Sequence, residues 1–171
     1  INAFYIGCVM QTEQIRDILN VKSTKRSAEL CMAFDKEFLN TETGIYVDRK
    51  GSCHSAVHSN IIPAFYGICS PEDEPKIADY LIERGMCCGV YMAYFLLKAL
   101  CRMGRYEAAY SLIVSEGEHS WYNMVKEGAT TCFEAWGKEQ KWNTSLCHPW
   151  ASAPIAVLAE DIIPNMMSIA R

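Results

Sequence analysis

Two neighbouring segments differ in how far their apolar residues wrap round, and that contrast limits the folds open to this chain. Residues 71–84 place Ile77, Ala78, Tyr80 and Leu81 on one side and Lys76, Asp79 and Glu83 on the other, as a helix with one covered face does. Residues 86–103 spread Val90, Tyr91, Tyr94, Phe95, Leu96, Leu97 and Leu100 round nearly the whole circumference, as a helix buried on all sides does. Gly85 and Gly104 end the two segments, and glycine suits a helix C-terminus. Ser70-Pro71-Glu72-Asp73 opens the first: the hydroxyl caps free amides, proline fits the first turn, and the acids face the positive helix end. Amphipathic helices covering buried ones are what an α/α toroid requires; a bundle or a helix-pair solenoid gives a similar alternation. No strict repeat at a fixed period is present, which counts against the solenoid.

The rest of the chain is helical in pattern, so the expected class is all-α. Residues 2–19 and 24–39 carry apolar positions at helical spacing, Asn40 to Gly44 form a turn, and Ile45 to Val47 are extended. Residues 55–68 resume an apolar helix in which Pro63 is expected to cause a bend or break. Residues 105–114 form another amphipathic helix.

The 171 residues suit one domain with its own core. Sixteen basic and 20 acidic residues give a net charge of −4 with no basic block, so no nucleic acid or anionic membrane is expected as a partner. Apolar runs break before the roughly 18 residues a membrane span needs. The nine cysteines include the adjacent pair Cys87-Cys88, and Cys8, Cys31, Cys69 and Cys101 sit in apolar helical patterns. That usage fits thiols as small core residues in a reducing compartment; the sequon Asn143-Thr144-Ser145 points the other way. The chain begins at Ile1 and shows no signal-peptide pattern, so a segment of a longer protein, with its compartment undefined, is expected.

Residues 118–154 differ in character. They hold all four tryptophans (Trp121, Trp136, Trp142, Trp150), His119, His148, and Glu134 between Phe133 and Ala135. Indole faces stack on the apolar faces of sugar rings, and they fill cores equally well. A carboxyl among aromatics suits a tuned acid or base, and an ordinary surface glutamate fits the same pattern. His148 is either a sugar contact or a structural histidine. His54 and His58 have zinc-like spacing, but no glutamate follows His54 and no third ligand is evident, so no metal is expected. His58-Ser59-Asn60 reads better as a pocket lining. Cys87-Cys88 lacks the two-residue spacer of redox sites.

Together these residues resemble the bacterial α-L-rhamnosidase catalytic domain. The similarity runs through Thr43-Gly44-Ile45-Tyr46-Val47-Asp48, Ser52-Cys53-His54-Ser55-Ala56-Val57-His58-Ser59-Asn60, Gly85-Met86, Val90-Tyr91 and Phe95-Leu96-Leu97. It is most specific in Ser120-Trp121-Tyr122-Asn123-Met124, Gly128-Ala129-Thr130-Thr131 and Glu134-Ala135-Trp136, and ends with His148, Trp150 and Ala153-Pro154. The resemblance implies an (α/α)6 six-hairpin barrel, of which residues 1–171 form a C-terminal portion of roughly four hairpins. It implies hydrolysis of terminal α-L-rhamnose with inversion, in which two carboxyls about 6.5–9.5 Å apart act as acid and base. Glu134 matches the general base, and the general acid is expected upstream of this chain, leaving the isolated segment inactive. His58, Asn60, Trp121, Trp136 and His148 match positions expected to line the sugar pocket, and no cofactor is implied. Where relatives often carry Asp or Asn after Glu-Ala-Trp, this chain has Gly137; Cys147 and Tyr94 replace a common Asn and Gln.

Two other readings stand beside this one. A related barrel acting on another sugar, such as a uronic acid, predicts the same cluster plus a basic residue for the carboxylate, for which Lys126, Lys138 and Lys141 are the candidates. A non-catalytic helical-repeat module predicts an exposed apolar groove with no clustering of Glu134, Trp136, His58 and His148. An incomplete barrel exposes faces that normally meet other hairpins, so self-association is expected.

Overall fold

A computed structural model describes residues 1–23 and 25–169. Thr24, where the second helix was expected to begin, and residues 170 and 171 of the expected 1–171 domain lie outside the described residues. The helices are α1 (Asn2–Ile18), α2 (Ser27–Phe38), α3 (Val57–Tyr66), α4 (Glu74–Arg84), α5 (Val90–Arg102), α6 (Tyr106–Ile113), α7 (Trp121–Lys126), α8 (Ala153–Val157) and α9 (Ile163–Ile169). A wide π-type turn, Leu158–Ile162, joins the last two. Strands β1 (Leu39–Asn40) and β2 (Ile45–Tyr46) pair antiparallel, Leu39 opposite Tyr46 and Asn40 opposite Ile45.

Apart from this hairpin, the regular structure of the described residues is helical. Helices α1, α3, α5 and α8 pack side by side in one layer, while α2, α4 and α6 each cover the helix before them. Burial follows the alternation read from the sequence. α2 has no fully buried residue and α6 only Ala109, whereas α5 buries Val90, Ala93, Leu96, Leu97, Ala99, Leu100 and Cys101. A completely buried leucine side chain contributes about 1.5–3 kcal/mol, so Leu96, Leu97 and Leu100 anchor this layer.

α5 is not covered all round, contrary to the reading of residues 86–103. Tyr91 is about half exposed, and Met92, Tyr94 and Phe95 are only partly buried. The helix also begins later, at Val90, because residues 86–89 are held out of helical form. The Trp136 indole N–H donates to the Cys88 carbonyl at 2.7 Å, and a helix would need that carbonyl for its own ladder.

Other boundaries follow local chemistry. Ser70 caps a turn, not the helix itself: its Oγ accepts from the Asp73 N–H, and α4 starts only at Glu74. Pro63 does not break α3, which continues to Tyr66 and ends at Gly67 with φ +69°; a bare α-carbon makes that left-handed conformation cheap. The first amide of α2 is satisfied from a distance, since buried Glu13 of α1 accepts from Ser27 N and Oγ.

Asn60 locks the β-hairpin onto α3. Its Oδ1 accepts from Tyr46 N at 2.8 Å, and its Nδ2 donates to Tyr46 O at 3.0 Å and Ala56 O at 3.3 Å. The side chain has no exposure, so every hydrogen-bonding atom serves the fold. Asp48 plays a similar part at the start of α3, accepting from Ala56 N at 2.7 Å and Ser59 Oγ at 2.8 Å while pairing with His54.

Candidate active site

Buried Ser120 positions the tryptophan-rich region. Its Oγ accepts from Asn123 N at 3.0 Å, capping α7, and donates to Gly117 O at 2.5 Å. Beyond α7 the chain runs out and back, so that two irregular segments lie alongside. Glu134 N donates to Ser145 O and His148 N donates to Cys132 O, both at 2.8 Å. Fully buried Phe133 pins the outgoing segment to the core.

This pairing brings Glu134 near His148. The Glu134 carboxylate is partly exposed, pairs with Lys141 Nζ at 2.5 Å and accepts from Ser145 N at 3.1 Å. The Lys141 ammonium, then the Ser145 amide, hold its pKa below the ordinary glutamate value, and His148 adds a smaller pull in the same direction. The carboxyl is therefore held ionised, as opposite charge and donated hydrogen bonds dictate. The surroundings differ from the aromatic pocket expected for it: its direct polar partners are an amine and an amide.

The tryptophans divide by role. Trp136 is 2% exposed, packs edge-on against Trp121 with centroids 4.9 Å apart, and spends its N–H on Cys88 O. Half-buried Trp121 donates its N–H to Ala151 O at 2.6 Å. Both hold the wall together, and Trp136 presents no face to solvent. Trp142 is bare to solvent at 96% exposure, and Trp150, 46% exposed, is the indole at this wall that stays partly open. His148 lies over it at 4.2 Å, and Tyr91 meets it from α5 at 5.1 Å. A cavity of about 280 Å³ opens here, lined by Tyr91, Tyr94, Phe95, Pro149, Trp150 and Ala153 among others.

His58 sits elsewhere. It is exposed and lines a second cavity of about 220 Å³ with Asn2, Phe4, Asp48, Ser59 and Met92. Asn60 lies beneath the surface, bonded as described, so it offers no atom to a ligand. The structure thus brings Glu134 and His148 together and joins Trp121 to Trp136, but sets His58 and Asn60 on the α3 side. His54 pairs with Asp48 and not with His58.

The chain matches the bacterial alpha-L-rhamnosidase 6 hairpin glycosidase domain over residues 1–162. It belongs to that family. No curated protein matches it. A rhamnosidase-type glycosidase domain accounts for the run of helical hairpins, and marks the protein as one of a hydrolase family.

Within this family's pattern, Gly137 has a local cause. A Cβ there would come 2.7 Å from Glu127 Oε1, and Glu127 Oε2 accepts from Lys138 N at 2.7 Å. The Glu127 carboxylate occupies the space beside the Gly137 α-carbon. Sequence reasoning left Tyr91, Tyr94 and Phe95 in the core; they share one face of α5, beside the buried Val90, Ala93, Leu96 and Leu97. Lys141, a candidate partner for an acidic sugar by sequence, pairs with Glu134 in the structure.

Proposed function

We propose that this domain belongs to an inverting glycoside hydrolase that removes terminal α-L-rhamnose, with Glu134 as the base that activates water. The observation that carries this reading is the pairing that brings Glu134 near His148, which packs against Trp150, a lining residue of the open aromatic cavity. A carboxyl kept deprotonated at neutral pH is ready to take a proton from water and is poorly suited to donate one. The Tyr91, Tyr94, Phe95 and Trp150 cavity supplies apolar walls and phenolic hydroxyls, and among the described residues no basic side chain lines it. That lining suits a neutral deoxy-sugar ring better than a uronic acid. In this reading His148 and Trp150 hold the terminal sugar, while Trp121 and Trp136 shape the wall behind it. The reaction needs a second carboxyl as proton donor, which we assign to a segment outside these residues. No metal or cofactor is required for such paired-carboxyl chemistry.

The test is hydrolysis of p-nitrophenyl α-L-rhamnoside by this chain and by a longer protein containing it, each with and without Glu134→Gln. Turnover by the longer protein should fall about 10²–10⁴-fold in the variant, the usual scale for a lost general base, with sugar binding retained. Unchanged turnover would remove Glu134 from the mechanism. Turnover by this chain alone would place both carboxyls within it.

A further inference from the structure

We propose that Glu127 is a positioning residue for this site: it clamps the turn after Trp136 and so sets the Lys141 ammonium against the Glu134 carboxylate. This rests on the reading of Glu134 as the base.

The turn has little else to hold it. Lys138–Gln140 form a single 3-10 turn with no buried residue, so burial does not fix its place and hydrogen bonds must. Glu127 supplies those that lead back to the wall. It ends α7, which buried Met124 anchors and buried Ser120 caps. Its Oε2 accepts from Lys138 N at 2.7 Å, its Oε1 accepts from Asn123 Nδ2 at 3.0 Å, and its carbonyl accepts from Lys138 Nζ. A carboxylate holds an amide N–H more strongly than a neutral acceptor does. Just before the turn, Trp136 O accepts from Asn123 Nδ2 at 2.9 Å, and Trp136 N donates to Gln140 Oε1 at 3.0 Å.

Gly137 makes the clamp possible. Its backbone is extended, at φ −154°, so the position does not need glycine's conformational freedom. What it needs is space, because a Cβ would stand 2.7 Å from Glu127 Oε1. Beyond the turn comes Lys141, whose Nζ meets Glu134 Oε1 at 2.5 Å. Thr144 Oγ1 holds Lys141 O from the other side at 2.9 Å. Among the described residues, the charged groups that bear on Glu134 are Lys141 and, more weakly, His148; Glu127 acts on it through the turn.

The sign of one shift tests this. A neighbouring negative charge raises a carboxyl pKa, so losing Glu127 as a charge alone would lower the Glu134 midpoint. Losing it as a clamp frees Lys141 and raises that midpoint. The measurement is a pH titration of the Glu134 carboxyl carbon by NMR in this chain, assigned by the resonance lost in Glu134→Gln. Glu127→Ala should move the midpoint up. Glu127→Gln keeps an oxygen for Lys138 N and should leave the midpoint at or below its native value. Gly137→Ala displaces the Glu127 carboxylate with no change of charge and should act as Glu127→Ala does, so it carries the test if Glu127→Ala does not fold. With Lys141→Met already in place, neither variant should raise the midpoint further. A midpoint that falls or stays put in either of them would overturn the proposal, and so would an equal rise in the absence of Lys141. Turnover is read separately, in the longer protein. An acid limb of kcat/KM that ignores the raised midpoint would overturn the base assignment and leave the clamp standing.

Discussion

Replacing Asn60 by alanine separates two roles that the same residue can play. If Asn60 is a brace, the variant leaves the Tyr46 N–H and C=O without their partner in a site closed to solvent. Each buried polar group left unpaired costs about 1–3 kcal/mol, so the pair costs about 2–6 kcal/mol. Domains of this size lose about 2–4 °C of Tm per kcal/mol, which puts the expected drop at about 4–24 °C, read by circular dichroism at 222 nm. Asn60→Asp sharpens the test. At neutral pH it keeps an acceptor for Tyr46 N but turns a second acceptor toward Tyr46 O; protonation in acid restores a donor. Its deficit relative to the native chain should therefore shrink as pH falls toward the carboxyl pKa. A Tm within about 2 °C of the native value for Asn60→Ala, together with lost saccharide binding, would refute the bracing argument and return Asn60 to the sugar pocket.

Three further outcomes are expected. Lys141→Met removes the main influence holding down the Glu134 pKa; if Glu134 is the base, the acid limb of the kcat/KM profile should move to higher pH, and an unmoved limb would dissociate the two residues. Asp48 is held at about 2 in the folded chain against an ordinary 3.8, first by the Ala56 amide and then by His54 and Ser59. Its folded pKa lies below the unfolded one, so its contribution is complete above pH 4–5 and disappears as pH falls from about 4 to 2; Asp48→Asn should flatten the dependence of Tm on pH in that window. Finally, a thiol reagent such as Ellman's should label exposed Cys8, Cys53, Cys87 and Cys147 in the native protein. Cys69, Cys88 and Cys101, with pKa values pushed up to about 11, 12 and 11 by burial, should react only after unfolding.

The helical plan was legible because burial leaves a periodic trace. An inner helix such as α5 must be apolar on more sides than an outer one such as α4, and the residues record that difference position by position. Periodicity reports how many faces are apolar, not what covers them, so Tyr91, Tyr94 and Phe95 read as core although that face of α5 is only partly covered. The motif positions carry a related ambiguity. Trp136 and Asn60 stand in segments that resemble the family's, yet their polar atoms are spent on Cys88, 48 residues away, and Tyr46, 14 away. Neither partner is visible to a local reading of the sequence.

The same reasoning bears on Glu134. Its flanking residues, Phe133 and Ala135, suggest an apolar setting, and an apolar setting raises a carboxyl pKa and favours a proton donor. Phe133 instead turns into the core, and the return segment delivers Lys141 and the Ser145 amide to the carboxylate. Those two partners reverse the sign of the shift. An acid role would require the proton to stay on a carboxyl that two donors are stabilising without it, which is why the proposed reading gives Glu134 the part of base in an inverting pair.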